Sequence, residues 1–339
     1  MTDTLDSTSL AERFVAPLTA DSTATVLCWL EHEGVIAVEG PDSARFLHGQ
    51  LTCDVNALPV SHSTLGARCN PKGRMQSSFR LIRVDAELYY LVMHQNLVER
   101  QLAELKKYAV FFKTQLSDAS SGWLRFGLLG QDIDAALASA NLPCPADTGT
   151  AMTADGALIL KTSSETAEAW LAPDSARAAL ERLFTAATPA NLQAWLLRQI
   201  RLGIGMVFPQ TYETFIPQML NLQQLGGVSF RKGCYTGQEI VARMQYLGKL
   251  KRRMYRLLLS GETLPPPATA ILDRDSGQTV GEVVMAARSE SGIEVLAVLQ
   301  KDAAQLATLV VGDIYGPLLS PSGLPYDSEL EAREADKEI

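Results

Sequence analysis

The chain has 339 residues, of which 47% are hydrophobic and 20% charged, and its formal net charge is −8, from 30 Lys+Arg against 38 Asp+Glu. This composition excludes a disordered chain and a globally basic nucleic-acid binder, and the length predicts about two domains. No run of about 18 uncharged apolar residues occurs, and the first residues lack a basic segment followed by an apolar one, so a cytoplasmic protein with no membrane partner is expected.

Residues 1–25, rich in Ser, Thr and Asp, read as a flexible leader. Gly34 to Gly40 predicts a strand closed by glycine, and Pro41-Asp42 opens a helix with Ala44, Leu47 and Leu51 at helical spacing. Residues 64–69 read as a strand, Asn70-Pro71-Lys72-Gly73 as a tight turn, and 75–84 and 88–93 as further strands. Asn96 is the expected cap of a helix reaching Lys107, with Leu97, Leu102 and Leu105 on one face, and Val110 to Leu116 returns as a strand. The order then repeats, with strands at 123–129, 157–161 and 168–172 and helices at 131–140 and 174–187. Two α+β subdomains of the ferredoxin-like, split βαβ type are therefore expected. Thr188-Pro189 signals another helix, running through Trp195 to Gly203.

From residue 251 the pattern changes. Strand candidates at 254–259, 279–287, 293–299 and 308–311 alternate with Gly, Pro and Asp turns, which predicts a small C-terminal β-barrel. The expected organisation is a leader (1–25), an α+β region (26–250, divided at about 118/119), a barrel (251–320) and an acidic tail (321–339).

Five scattered cysteines (Cys28, Cys53, Cys69, Cys144, Cys234) form no disulfide framework, and the four histidines are far apart in sequence, so no local metal site is expected. The densest chemical signal is Arg231-Lys232-Gly233-Cys234-Tyr235-Thr236-Gly237-Gln238-Glu239, continuing to Arg243. Thr236 and Glu239 have the spacing of a capping box for a helix that begins at Gly237. Cys234 then lies just before a helix N-terminus and beside two cations, both of which favour a thiolate. The same pattern is also met by a glycine turn with a buried, inert cysteine, and no histidine stands nearby in sequence to act as a base. Residues 231–256 carry eight bases against Glu239 alone, a field suited to an anionic ligand or a nucleic-acid backbone, or a solvated surface balanced by the acidic remainder. Trp195, among Leu192, Leu196 and Leu197, reads either as a core residue or as a platform for a flat heterocycle.

The octapeptide Lys232 to Glu239 resembles the signature of YgfZ-type folate-binding proteins, relatives of the glycine-cleavage T protein, an aminomethyltransferase. Phe46 to Val55, Asn70 to Arg74, Glu104 to Tyr108, Phe215 to Gln218 and Asn221-Leu222 resemble further segments, and the likeness covers roughly residues 34–320. It implies a ring-like arrangement of α+β subdomains of the T-protein folate-binding type with a C-terminal barrel. It also implies tetrahydrofolate or another reduced folate as cofactor, held by Trp195 and Gln218, and Cys234 as functional thiol, with Lys232 beside it. The expected role is that of an accessory factor for iron–sulfur enzymes, including those that methylthiolate tRNA, with assembly proteins or client enzymes as partners. Two departures stand out. Glu33-Gly34 occupies the place of a second expected tryptophan, and Arg201 stands where T-protein relatives carry an acid. The alternatives are a folate-dependent one-carbon transferase, which needs that acid, and a tRNA-contact module working through residues 231–256.

Overall fold

The structure, a computed structural model, describes residues 7–17, 25–328 and 330. The chain forms two compact units, one of residues 1–47, 55–64 and 79–195 and the other of 48–54, 65–78 and 196–339.

Within the stretch expected as a flexible leader, Ser7–Arg13 form helix α1. Leu10 and Phe14, four residues apart, share one face and enter a core with Leu27, Phe126 and Leu183, which fixes the segment. Strand β1 follows at Val26–Trp29. The first α+β sheet is then laid down as β2 (Glu33–Glu39), α2 (Ser43–His48), β3 (His62–Cys69), β4 (Met75–Arg83), β5 (Leu88–His94), α3 (Gln95–Ala109) and β6 (Gln115–Asp118). Its spatial order is β3-β4-β5-β2-β6. The cap of α3 is His94, whose Nδ1 accepts from the Asn96 N–H at 3.2 Å, rather than Asn96 itself.

The connectivity repeats as β7 (Leu124–Leu129), α4 (Ile133–Ser139), β8 (Ala151–Ala154), β9 (Ala157–Ser163), β10 (Thr166–Leu171), α5 (Ala176–Ala186) and β11 (Thr188–Ala190). The second sheet runs β11-β1-β7-β10-β9-β8, the order of the first with β1 inserted beside its last strand. Thr188-Pro189 is therefore strand, not helix start. It pairs in parallel with Val26 and Leu27, and an edge strand tolerates a proline that cannot donate. Helix α6 begins at Leu192 and ends at Arg201, with Asn191 Oδ1 accepting from the Gln193 N–H at 3.1 Å.

After helix α7 (Gln238–Tyr246), strands β12 (Arg252–Leu259), β13 (Ala270–Asp273), β14 (Thr279–Ser289), β15 (Gly292–Gln300), β16 (Leu309–Val311) and β17 (Leu319–Ser322) form one antiparallel sheet. Its order is β16-β13-β14-β15-β12-β17, and a single bridge from Val310 to Leu318 links its edges, so the sheet curls into a half-barrel. Leu257, Val283, Val295, Leu299 and Leu309 fill its core. Leu324, Tyr326 and Leu330, at the start of the expected acidic tail, are buried. Residues 331–339 lie outside the described residues.

Trp195 packs in the first unit with Val26, Cys28, Leu30 and Ala194. Its indole lies directly over Gly127, where a Cβ would collide with the six-membered ring. Gly127→Ala is expected to destabilise the protein by about 1–3 kcal/mol through overpacking, measured as a lower urea midpoint with an unchanged slope.

Candidate functional site

The site is built on Lys232. Its ammonium donates to the carbonyl oxygens of His48 at 2.6 Å, Leu51 at 2.7 Å and Cys53 at 2.9 Å. An ammonium has three donors, and all three are used. The His48 carbonyl closes α2, where the last carbonyls of a helix have no partner within it, so a residue distant in sequence supplies the cap. Burial pulls the pKa of Lys232 down to about 8, opposed by the neighbouring Cys53 and Asp54. The side chain lies 5.0 Å from the ring centroid of Tyr235, itself buried. Thr52 adds a second tie. Its hydroxyl donates to the Gly227 carbonyl at 2.6 Å and accepts from the Ala67 N–H at 2.9 Å.

The turn expected at Asn70 to Gly73 is present. Asn70 Oδ1 accepts from the N–H groups of Lys72 at 2.9 Å and Arg74 at 3.0 Å. This turn packs on the start of α7. Gly237 has a φ of 85°, and a Cβ there would strike the Asn70 carbonyl oxygen. The expected Thr236–Glu239 capping box does not form, because the close approach of the turn demands a left-handed glycine as the N-cap. Helix α7 starts one residue later than expected, at Gln238, whose Oε1 accepts from the Tyr235 N–H at 3.3 Å. Thr236 is half-buried and Glu239 exposed.

These contacts leave Gly233 and Cys234 exposed. Of the other thiols, Cys28, Cys53 and Cys69 are buried and each is pushed up to about 12 by burial. Cys144 is exposed, with its pKa raised by partial burial and by Asp134. The structure also brings to the loop a residue that sequence order hides. His48 Nε2 lies 3.8 Å from the point where a side chain of Gly233 would begin. Its Nδ1 faces Asp54 Oδ1 at 3.5 Å. A histidine 186 positions upstream of Cys234 gives no local signal.

Gln218 is buried, and its Nε2 donates to the Val241 carbonyl at 2.6 Å. Its Oε1 is buried with no hydrogen-bond partner among the described residues, as is Oδ1 of the neighbouring Asn221. Trp195, in the other unit, is 3% exposed.

Both departures prove to be ionic. Glu33 is half-buried and pairs with Arg125 at 3.4 Å. Glu168 pairs with Arg80 at 3.6 Å and accepts from the Trp170 indole N–H at 3.0 Å. Burial raises the pKa of both carboxyls. Burial and Arg125 also hold His32 down at about 3, so its imidazole is neutral. Arg201 grips Glu294 Oε1 with Nε at 2.9 Å and Nη2 at 2.7 Å, and Arg256 meets Oε2 at 3.1 Å. Glu294 is 3% exposed, a buried carboxylate between two guanidiniums.

Of the eight bases in 231–256, Lys232, Arg253 and Arg256 are thus directed at internal partners, Arg253 onto Asp327 at 3.1 Å. Arg231, Arg243, Lys249 and Lys251 are exposed, near in sequence to Tyr246, which is 67% exposed.

Replacing Lys232 with Met leaves three carbonyls without their donor. Lys232→Met is expected to cost at least about 2 kcal/mol, read as a lower denaturant midpoint, whereas Arg231→Met, at an exposed position, should leave the midpoint nearly unchanged.

Residues 18–147 match the GCVT N-terminal domain family. A solved glycine cleavage system aminomethyltransferase T from Bartonella henselae has a similar fold, with a TM-score of 0.73 at 20% identity, covering 89% of this chain and 86% of that one. Proteins named tRNA-modifying protein YgfZ are similar along most of their length. The one from Edwardsiella ictaluri is 34% identical over 92% of this chain and 96% of its own, and that from Pectobacterium atrosepticum is 35% identical over 92% and 94%. That from Photobacterium profundum is 38% identical over 73% and 74%. With the octapeptide and its supporting turn in place, the chain belongs to the YgfZ family.

Proposed function

We propose that the protein is a folate-binding accessory factor that supports iron–sulfur enzymes, including those that methylthiolate tRNA, and that it works in the cytoplasm. In this reading its two α+β sheets are ferredoxin-like subdomains of the T-protein type. The observation that carries the reading is the Lys232 anchor, which immobilises a family octapeptide while leaving its one thiol, Cys234, open to solvent. A rigid loop with an accessible nucleophile is suited to handling a reactive group.

The cofactor in this reading is tetrahydrofolate or another reduced folate, which when bound supplies a carrier of one-carbon units. Gln218 Oε1 is a buried acceptor without a donor among the described residues, and the pterin ring of a folate carries N–H donors, so the residue is chemically suited to it. Trp195, the aromatic residue that the resemblance offers, packs on Gly127 and Cys28 and is 3% exposed. The protein's own part is to bind and orient the folate and to present the thiol.

A transferase of T-protein type is the weaker reading. The position that needs a carboxylate holds Arg201, and Glu294, the nearby acid, is buried between two guanidiniums. A tRNA contact is supported by Arg231, Arg243, Lys249 and Lys251 with exposed Tyr246, since exposed bases beside an aromatic suit a phosphate backbone with a stacking base.

Titration with tetrahydrofolate is expected to quench tryptophan fluorescence, and Trp195→Ala to weaken binding by about 1–3 kcal/mol. Unchanged affinity in a folded variant removes Trp195 from the site. In a strain lacking the gene, mass spectrometry of tRNA nucleosides should show reduced methylthiolation, restored by the wild-type gene and not by Cys234→Ser. Normal methylthiolation in the deletion strain, including under oxidative growth, would refute the accessory role.

A further inference from the structure

Lys232 holds two segments together, and their meeting places a third reactive group beside the Cys234 loop. His48 ends α2, its carbonyl bound by the Lys232 ammonium at 2.6 Å. Its ring turns toward the residue before the cysteine, with Nε2 3.8 Å from the Cβ position that Gly233 leaves empty. Cys234 is the next residue in the chain and is exposed. The other ring nitrogen, Nδ1, is buried, makes no hydrogen bond among the described residues, and faces Asp54 Oδ1 at 3.5 Å. A nucleophile beside an imidazole that is backed by a carboxylate is the arrangement that activates thiols.

We propose that His48 is the proton acceptor for Cys234, directly or through one water, and that Asp54 is the residue that positions its ring. The proposal rests on Cys234 being the functional thiol. In the step itself the S–H bond breaks, its proton moves to Nε2, and the electron pair stays on sulfur as a thiolate beside an imidazolium. The thiolate then attacks a soft electrophile.

The charges facing the imidazole set its state. Burial and the Lys232 ammonium press its pKa down, and Asp54 opposes them. A ring depleted of its proton near neutral pH is able to take one. The Cys53 thiol on the same segment is held at about 12 and stays protonated, so it does not compete. Arg231 and Lys232 lie on the cysteine's own loop. Gly233 carries no side chain, and a Cβ there would meet the imidazole at 3.8 Å.

The test uses the purified full-length protein and iodoacetamide as the electrophile, where the S–C bond forms as iodide leaves. The rate of Cys234 alkylation is followed by peptide mass spectrometry from about pH 6 to about pH 9. His48→Gln is expected to slow the reaction at neutral pH by roughly threefold to tenfold and to make the rate climb more steeply with pH, as for an unassisted thiol. Asp54→Asn should give a smaller change in the same direction. A His48→Gln profile that superimposes on the wild type, in a variant with unchanged circular dichroism, overturns the proposal. Cys234→Ser provides a reading with His48 intact. The titration of the His48 ring, followed by NMR, should shift when the thiol is removed, and an unchanged titration also overturns it. The two levels separate cleanly. Shifted profiles with full complementation by Cys234→Ser leave the proton transfer standing and refute the cellular role of the thiol. Unmoved profiles with failed complementation do the reverse.

Discussion

The site depends on one ammonium group. Lys232 is 8% exposed, and the cost of taking a charge that far out of water is met by three carbonyl acceptors rather than by an acid. A carboxylate partner would have neutralised the charge in one direction only. Three carbonyls on residues 48, 51 and 53 instead draw an irregular segment around the nitrogen, so the lysine shapes the backbone as well as satisfying it. Thr52, fully buried in the same segment, bonds toward Gly227 and Ala67. With the backbone on both sides fixed, the tip of the loop at Gly233 and Cys234 is exposed without being loosely held.

The turn at Asn70 to Arg74 completes the support from the other side. Its Asn70 side chain folds the turn on itself, and its compactness lets the backbone approach Gly237 closely. That contact explains why α7 starts where it does. A Thr-x-x-Glu spacing predicts a cap by local chemistry, but local chemistry yields when a packed backbone demands a positive φ at the next residue. Glu239 is left in the first turn of α7 as a surface acid near the helix N-terminus, a favourable place for a negative charge.

How much of this was legible in the sequence follows from the range of the interactions. Four strands of the curled C-terminal sheet could be read because mostly apolar runs stand between strong turn signals, as at Gly292–Gln300, whereas β13 and β17 were not read. The repeated strand–helix order could be read for the same reason, and the Asn70 turn is written in four consecutive residues. What failed was set by distant partners. Thr188-Pro189 has the local signature of a helix start, yet pairs with Val26 and Leu27. Leu10 and Phe14 sit in a stretch that looks like a polar leader, but two large apolar residues on one helical face suffice to bind it to a core. His48 and Asp54 carry no local sign of a partnership with residues near 233. Folding brings the His48 ring to 3.8 Å from the Cβ position of Gly233, where Lys232 reaches back to the end of α2.

Charge shows the same limit from another side. Eight bases in residues 231–256 suggest a strong positive field when counted along the chain. In the fold, Lys232 is spent on carbonyls, Arg253 on Asp327, and Arg256 shares Glu294 with Arg201. The field that solvent meets comes chiefly from Arg231, Arg243, Lys249 and Lys251. A few exposed cations on a chain of net charge −8 favour a local phosphate contact over a broad nucleic-acid track. The inward-turned arginines act differently. Glu294 is buried deeply enough that one guanidinium would leave an oxygen of its carboxylate without a charged partner, and two do not. Arg201 is thereby held by an acid from β15, and each oxygen of that buried acid meets one of the two guanidiniums.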